Sequence, residues 1–234
     1  MKLDDDLKIN SKPLEAKRKG ISTVGKYEFG SYKIVSGKAG WIVGTESGWS
    51  IGRIIGSESL VFGMSKSKSK QKSSFVFVGK ETDTVLVNTS TNTELTEIGT
   101  EFFSVSRLNQ SDENYIAIFI PFADTTEWLM SINTLNGSNN AGIGNAQGKL
   151  TNGVINIDIR EVKQWADGKS PAFGVICGYE FYLDNHSIAA VQSSVDTFQK
   201  KFVWLHENLD EKMKTLLAAA SASLMVHTDD AMKD

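Results

Sequence analysis

The chain has 234 residues and a formal net charge of −3, with 25 Lys and Arg against 28 Asp and Glu. This balance gives no global electrostatic basis for binding nucleic acid, so recognition of any anion must be local. The length allows one large domain or two small ones, and the single cysteine, Cys177, excludes an intramolecular disulfide and a cysteine-rich zinc site.

The first twenty residues are rich in charged side chains. They predict a mobile or loosely attached N-terminal arm over residues 1–20, ahead of a single domain over residues 21–234. They contain no apolar stretch long enough for a secretory signal. We therefore expect a cytoplasmic protein, or an exported one whose signal has been removed.

From residue 25 onward, short apolar runs alternate with polar residues and are separated by glycines, which is typical of β-strands. About a dozen strands at this spacing predict a barrel or a sandwich. The predicted strands are Tyr27–Phe29, Tyr32–Ile34, Trp41–Val43, Ile51–Ile55, Ser59–Met64, Phe75–Val78, Thr84–Val87, Glu101–Leu108, Tyr115–Pro121, Glu127–Ile132, Gly153–Ile159, Ala172–Leu183, Ser187–Val191 and Phe202–Leu205.

A lysine-serine segment between Ser59–Met64 and Phe75–Val78 reads as the long tip of a hairpin. Its lysines recur at every second residue, so in an extended conformation their ammonium groups share one side. Near an anionic membrane each would contribute ~1 kcal/mol. The alternative is a solubilising tip, or an edge strand that its lysines protect against aggregation. We call these residues the lysine strip: Lys66, Lys68, Lys70 and Lys72.

Two glycine-containing segments resemble nucleotide-binding loops only superficially. Asn136–Gly148 leads into a predicted strand rather than a helix, which does not fit a dinucleotide-binding loop. Gly44–Ser50 lacks the lysine and the spacing of a P-loop. Turns and bulges explain both segments better, and we predict no cofactor.

The sequence contains no recognisable catalytic motif. Its three histidines are His186, His206 and His227, and no pair has the spacing of metal ligands, so we predict no metal site. Ser187, His206 and Asp184 can be combined on paper into a nucleophilic triad, but no GxSxG elbow supports it and chance explains it better. Cys177 lies in an apolar run and is predicted to be a small core residue rather than a nucleophile.

The last long segment, Asn208–Val226, predicts a helix over about residues 209–226. Asn208 fits an N-cap, with Glu211 three residues later as in a capping box. After Thr215 only two serines interrupt the apolar residues, so no face remains for water and the helix should be buried. The apolar stretch is too short to cross a bilayer, which argues against a membrane span. A helix threaded through or under a curved sheet is the better interpretation.

This succession of strands and one hydrophobic helix resembles the Tubby-like superfamily, which includes phospholipid scramblases and LURP-one-related proteins. The residues that carry the resemblance are the helix LDEKMKTLLAAASASLMV and the segments YEFYLDNHSIAAVQ and KFVWLHENLD before it. Lys201–Val226 also looks like the end of bacterial proteins of this design. The resemblance implies a mainly β fold, a closed antiparallel β-barrel of about twelve strands around the C-terminal hydrophobic helix. It also implies action at membranes through basic groups on the barrel exterior.

Two classes of function follow. The first is a non-enzymatic binding module that recognises anionic lipid, a membrane surface or a partner through exposed loops and the lysine strip. The second is a hydrolase whose site is assembled from separated strands. A pocket that contains His186 or His206 beside a carboxylate would favour the hydrolase. The sequence predicts no nucleic-acid partner and leaves the oligomeric state open.

Overall fold

The structure is a computed structural model that describes residues 1–20, 24, 26–40, 50–55, 58–80, 83–99, 104–106, 113–124, 126–134, 148–171, 176–193 and 200–231. At 39–40, 50–55, 58–72, 92–99, 104–106, 113–114, 133–134 and 230–231 the description is of the backbone alone. The predicted strand Trp41–Val43 and the segments 44–49 and 136–147 lie outside the described residues, as do parts of some other predicted strands.

The described part of the chain forms fourteen strands and two helices. In chain order they are α1 Asp5–Ile9, β1 Leu14–Lys19, β2 Lys26–Phe29, β3 Tyr32–Gly40, β4 Ser50–Ile55, β5 Glu58–Val78, β6 Thr84–Gly99, β7 Ser104–Ser106, β8 Glu113–Pro121, β9 Trp128–Thr134, β10 Gly148–Thr151, β11 Asn156–Val162, β12 Gly178–Leu183, β13 His186–Gln192, β14 Lys201–Leu205 and α2 Glu211–Ala231.

Twelve of these strands close into an antiparallel barrel, which confirms the predicted fold class. Their order around the ring is β5-β3-β2-β1-β14-β13-β12-β11-β10-β9-β8-β6, and pairing of β6 with β5 closes it. Inward-facing side chains such as Phe29, Phe77, Phe119 and Phe181 are at most 1% exposed and form the core. Closure leaves these twelve strands without a free edge along the barrel wall.

Strand β5 is continuous over Glu58–Val78, so the predicted hairpin tip is wrong. It pairs with β3 only over residues 72–78, while β6 pairs with β8 only over residues 85–92. Beyond those points β5 and β6 continue to pair with each other, and β4 and β7 flank them. This continuation of the two strands, with β4 and β7, is called the β-extension below. The tip was mispredicted because alternating Lys and Ser carry no apolar signal for a strand.

Helix α2 fills the interior of the barrel. From Leu216 to Val226 every apolar side chain is at most 4% exposed, and four alanines are completely buried. The helix contacts β3, β6, β8, β13 and β14, which lie on different sides of the ring. Small side chains on all faces let the surrounding strands approach the helix closely. The prediction of a buried C-terminal helix is therefore confirmed.

The ends of α2 differ from the sequence prediction. Asp210, not Asn208, is the N-cap, because its Oδ1 accepts a hydrogen bond of 2.7 Å from Met213 N. The helix continues to Ala231, so His227 lies within its last turns rather than after it. The prediction stopped at Val226 because the apolar residues end there.

The N-terminal residues belong to the barrel, which differs from the expected arm. Strand β1 pairs with β14 and β2, and its Leu14 and Ala16 pack against the core. Helix α1 lies against β13 and completely buries Leu7. Charge density misled the prediction, because lysine and arginine side chains extend from the outer face of a strand whose inner face is apolar.

Candidate functional site

A cleft of about 230 Å³ opens where α2 enters the barrel, and we call it the entry cleft. Because α2 occupies the interior, space for a ligand lies at the ends of the barrel and on its surface. The apolar wall of the cleft is Val85, Pro121, Trp128, Ile155, Met213 and Leu216. Its polar rim includes Asp83, Asp124, Thr126, Asn152, Asp210 and Lys212.

The polar residues of the rim also hold the turns around the cleft. Asp124 Oδ1 accepts hydrogen bonds of 3.0 Å from both the backbone N and the hydroxyl of Thr126. Asn152 Oδ1 accepts from the backbone of Val154 and Ile155. Such bonds are the usual reason for Asp and Asn in turns. The rim therefore has a defined geometry and carries three carboxylates against one ammonium group.

The turn between β5 and β6 touches the helix beside the cleft. A Cβ atom at Gly79 would lie only 2.3 Å from Thr215 Oγ1, so glycine is needed for this close approach. The Thr215 hydroxyl is buried and has no hydrogen-bond partner among the described residues. This contact marks the point where the first turns of α2 pass the barrel wall.

The lysine strip lies on β5 toward the other end of the barrel. Thr91, which pairs with Gln71 of β5, lies 3.5 Å from the ring of His227 in the last turns of α2. The ladder between β5 and β6 shifts register on both sides of Ser69 and skips Lys70. The side chains of Lys66, Lys68, Lys70 and Lys72 lie outside the described residues, so their common face stays a prediction.

The structure does not assemble the triad of Ser187, His206 and Asp184. Ser187 Oγ donates a hydrogen bond of 2.6 Å to Glu180 Oε1 instead. His206 Nδ1 accepts from Asn208 N at 3.2 Å, and its Nε2 lies 3.5 Å from an Asp6 carboxylate oxygen. Asp184 has a positive φ in the turn between β12 and β13. These three residues thus have separate structural roles.

His227 is enclosed between α2 and the barrel wall. Its ring stacks on Tyr115 with 4.2 Å between centroids. Burial lowers the pKa of His227 to about 4, so the imidazole is neutral at pH 7. A neutral ring in this position is a packing element of the core.

Two buried carboxylates were not found by sequence reasoning. Asp229 accepts hydrogen bonds from the Tyr27 hydroxyl at 2.5 Å and from Lys201 Nζ at 2.6 Å. Burial lowers the pKa of Lys201, and the bond to Asp229 opposes this shift. Glu180 accepts from Ser187, from Asp4 N and from the Tyr182 hydroxyl. No local motif announces such clusters, because their members are far apart in sequence.

The described residues hold no group of three or more His, Cys, Asp and Glu side chains arranged to bind a metal ion. Among these same residues, no helix is both long and apolar enough to cross a membrane. Cys177 is buried, as predicted, and burial raises the pKa of its thiol. Comparisons of the chain with protein families, with curated proteins and with solved structures find no match.

Proposed function

We propose that this protein is a non-enzymatic binding module that attaches to an anionic lipid or membrane surface through the lysine strip. The observation that carries the proposal is the length of β5, which continues past its pairing with β3 and takes Lys66, Lys68 and Lys70 beyond the barrel wall. Alternate residues of an extended strand share a face, so a strand is a suitable carrier for a row of cations.

The closed barrel favours binding on the outside. Lipid-binding barrels that hold a ligand inside need an open lumen. Here α2 occupies that space with completely buried alanines such as Ala218, Ala219 and Ala220. A surface mode, in which several lysines interact with many headgroups, does not require a cavity.

The hydrolase alternative has less support. The entry cleft is lined by no histidine among the described residues, and the His206–Asp6 pair lies elsewhere. Ser187 donates to a buried carboxylate rather than to a histidine, so nothing described activates it as a nucleophile. The relation to the Tubby-like superfamily is likewise a proposal, which strand order in a solved relative would test.

The test is cosedimentation with vesicles that contain phosphatidylserine, compared with neutral phosphatidylcholine vesicles, at low and physiological salt. The wild-type protein should bind the anionic vesicles, and more weakly as salt rises because surface charges are screened. Replacing Lys66, Lys68, Lys70 and Lys72 together by Gln should abolish most of this binding. At ~1 kcal/mol for each lysine, the expected loss is at least 100-fold in affinity.

A control variant separates a local strip from net charge. Four exposed lysines on the barrel, Lys12, Lys33, Lys149 and Lys169, are replaced by Gln in the same protein. Both quadruple variants lose the same charge, but only the strip variant should lose membrane binding. Equal binding by the two variants, or negligible binding by the wild type at both salt concentrations, would contradict the proposal.

A further inference from the structure

The entry cleft has the size and the lining of a small-molecule site. An apolar cavity of about 150 Å³ is enough to hold benzene. At about 230 Å³ the entry cleft has room for one ring with a short side chain. Trp128 and Leu216 in its wall are 7% and 4% exposed, so they are fixed by the core rather than free to fill the cleft. The shape therefore exists before any ligand binds.

The charges around the cleft select the sign of a ligand. Asp83, Asp124 and Asp210 line it, and Lys212 is the single cation among the described lining residues. No described side chain forms a salt bridge with any of these three carboxylates. A cation that enters an apolar cleft beneath such a rim gains from the field of the carboxylates, while an anion is repelled.

Apolar residues also mark both lips of the cleft. Phe122 lies between the lining residues Pro121 and Ala123 and is 50% exposed, and Val154 lies beside Ile155 and is 87% exposed. Large exposed apolar side chains on two adjacent loops extend the apolar wall outward. This extension is independent of the charges and points to a ligand with an apolar body.

From these features we infer that the entry cleft binds a soluble organic amine, an apolar ring or short chain that carries one ammonium group. The apolar body occupies the cleft against Trp128, and the ammonium group lies at the rim beside Asp83 and Asp124. A phospholipid headgroup fits poorly because its phosphate lies next to its ammonium group, where the rim repels it. This site is separate from the lysine strip, which lies toward the opposite end of the barrel and carries the opposite charge.

Three probes of one size and different charge test the inference: phenethylammonium, 2-phenylethanol and phenylacetate. Each is titrated by calorimetry, and in parallel the Trp128 indole N–H signal is followed by ¹H–¹⁵N NMR, assigned with Trp128→Phe. Phenethylammonium should bind at least ten-fold more tightly than 2-phenylethanol, and phenylacetate should bind most weakly. The Trp128 signal should shift with the bound fraction.

Substitutions then locate the charge effect. The double variant Asp83→Asn and Asp124→Asn should lower the affinity for phenethylammonium at least five-fold and leave that for 2-phenylethanol unchanged. The turn at Asp124 should persist, because Asn keeps the accepting oxygen. The matched control is Asp5→Asn with Asp167→Asn, two exposed acids outside the cleft, of which Asp167 likewise accepts from a turn amide, that of Lys169.

The control variant should bind all three probes as the wild type does. Equal affinities for the three probes would overturn the inference, as would a Trp128 signal that does not move. The same holds if the control lowers phenethylammonium affinity as much as the cleft variant does. Thermal unfolding of each variant establishes that loss of binding is not loss of fold.

Discussion

The hydroxyl of Tyr27 donates a 2.5 Å hydrogen bond to Asp229 Oδ2, across 202 residues of sequence. It connects β2 to the last turns of α2 where the helix leaves the core. Lys201 of β14 donates to the other carboxylate oxygen, and Arg18 of β1 lies 3.5 Å away. Three adjacent strands thus hold one helical carboxylate, which fixes how far α2 extends through the barrel.

Removing Asp229 should destabilise the protein more than removing the tyrosine hydroxyl. Asp229→Ala leaves the Lys201 ammonium group largely buried without its partner, at an expected cost of about 3 kcal/mol. Tyr27→Phe removes one hydrogen bond to a charged group, at about 1–2 kcal/mol. Unfolding by denaturant at 25 °C measures both costs and that of the double variant.

Because both residues act through one carboxylate, the double variant should cost less than the sum of the single ones. Strictly additive costs would show that the hydrogen bond adds nothing to the cluster. As a control, Lys169→Ala removes an exposed ion pair with Asp167 and should change stability by less than 1 kcal/mol.

The central helix should not tolerate a charge. Ala219 is completely buried inside the barrel, so Ala219→Asp places an unpaired carboxylate in a close-packed core. The expected cost is several kcal/mol, enough to prevent stable folding. The same change at the exposed Ala166 should be nearly neutral. Thermal unfolding compares the two, and an Ala219→Asp variant with an unchanged midpoint would be incompatible with α2 lying inside the barrel.

Prediction from sequence succeeded where one side-chain pattern decides the structure. The apolar surface of α2 after Thr215 has no alternative to burial, and alternation in Tyr27–Phe29 and Tyr115–Pro121 identified strands on opposite sides of the ring. It failed at Leu14–Lys19, because a barrel strand with a charged outer face has the composition of a solvated arm. The same limit applied to the β-extension.

The entry cleft was beyond reach of sequence reasoning for a different reason. Its wall combines Val85, Trp128, Ile155 and Leu216, which come from three separate loops or strands and a helix. Each of these residues has an ordinary role in its own element. Only closure of the ring brings them together, and no spacing along the chain encodes that distance.

Gly79 should accept no side chain while Thr215 is present. In Gly79→Ala the new Cβ would lie 2.3 Å from Thr215 Oγ1 and 2.6 Å from its Cγ2, so the turn or the helix must shift. The expected cost is about 1–3 kcal/mol. Thr215→Ala removes both clashing atoms and breaks no described side-chain hydrogen bond, so it should recover part of this loss. Denaturant unfolding of the two single variants and the double variant measures the recovery, and equal stability of Gly79→Ala and wild type would refute the close contact.

The stability of the protein should fall as pH decreases from about 6.5 to about 4 because of His227. Burial lowers the pKa of its imidazole to about 4 in the folded state, whereas an imidazole in the unfolded chain titrates near 6.5. Within this window the unfolded chain binds a proton that the folded protein does not, so acid favours unfolding. Above it both states are neutral and the contribution is constant.

The slope is at most ~1.4 kcal/mol per pH unit, and the total is roughly 2 kcal/mol after allowance for partial exposure of the residue. His227→Phe keeps a ring against Tyr115 but cannot titrate. The measurement is the free energy of unfolding at pH 7, 6 and 5 for both proteins. Their difference should change steadily with pH in favour of the variant, since other groups contribute equally to each. Parallel pH profiles would mean that His227 is not held neutral in the folded barrel.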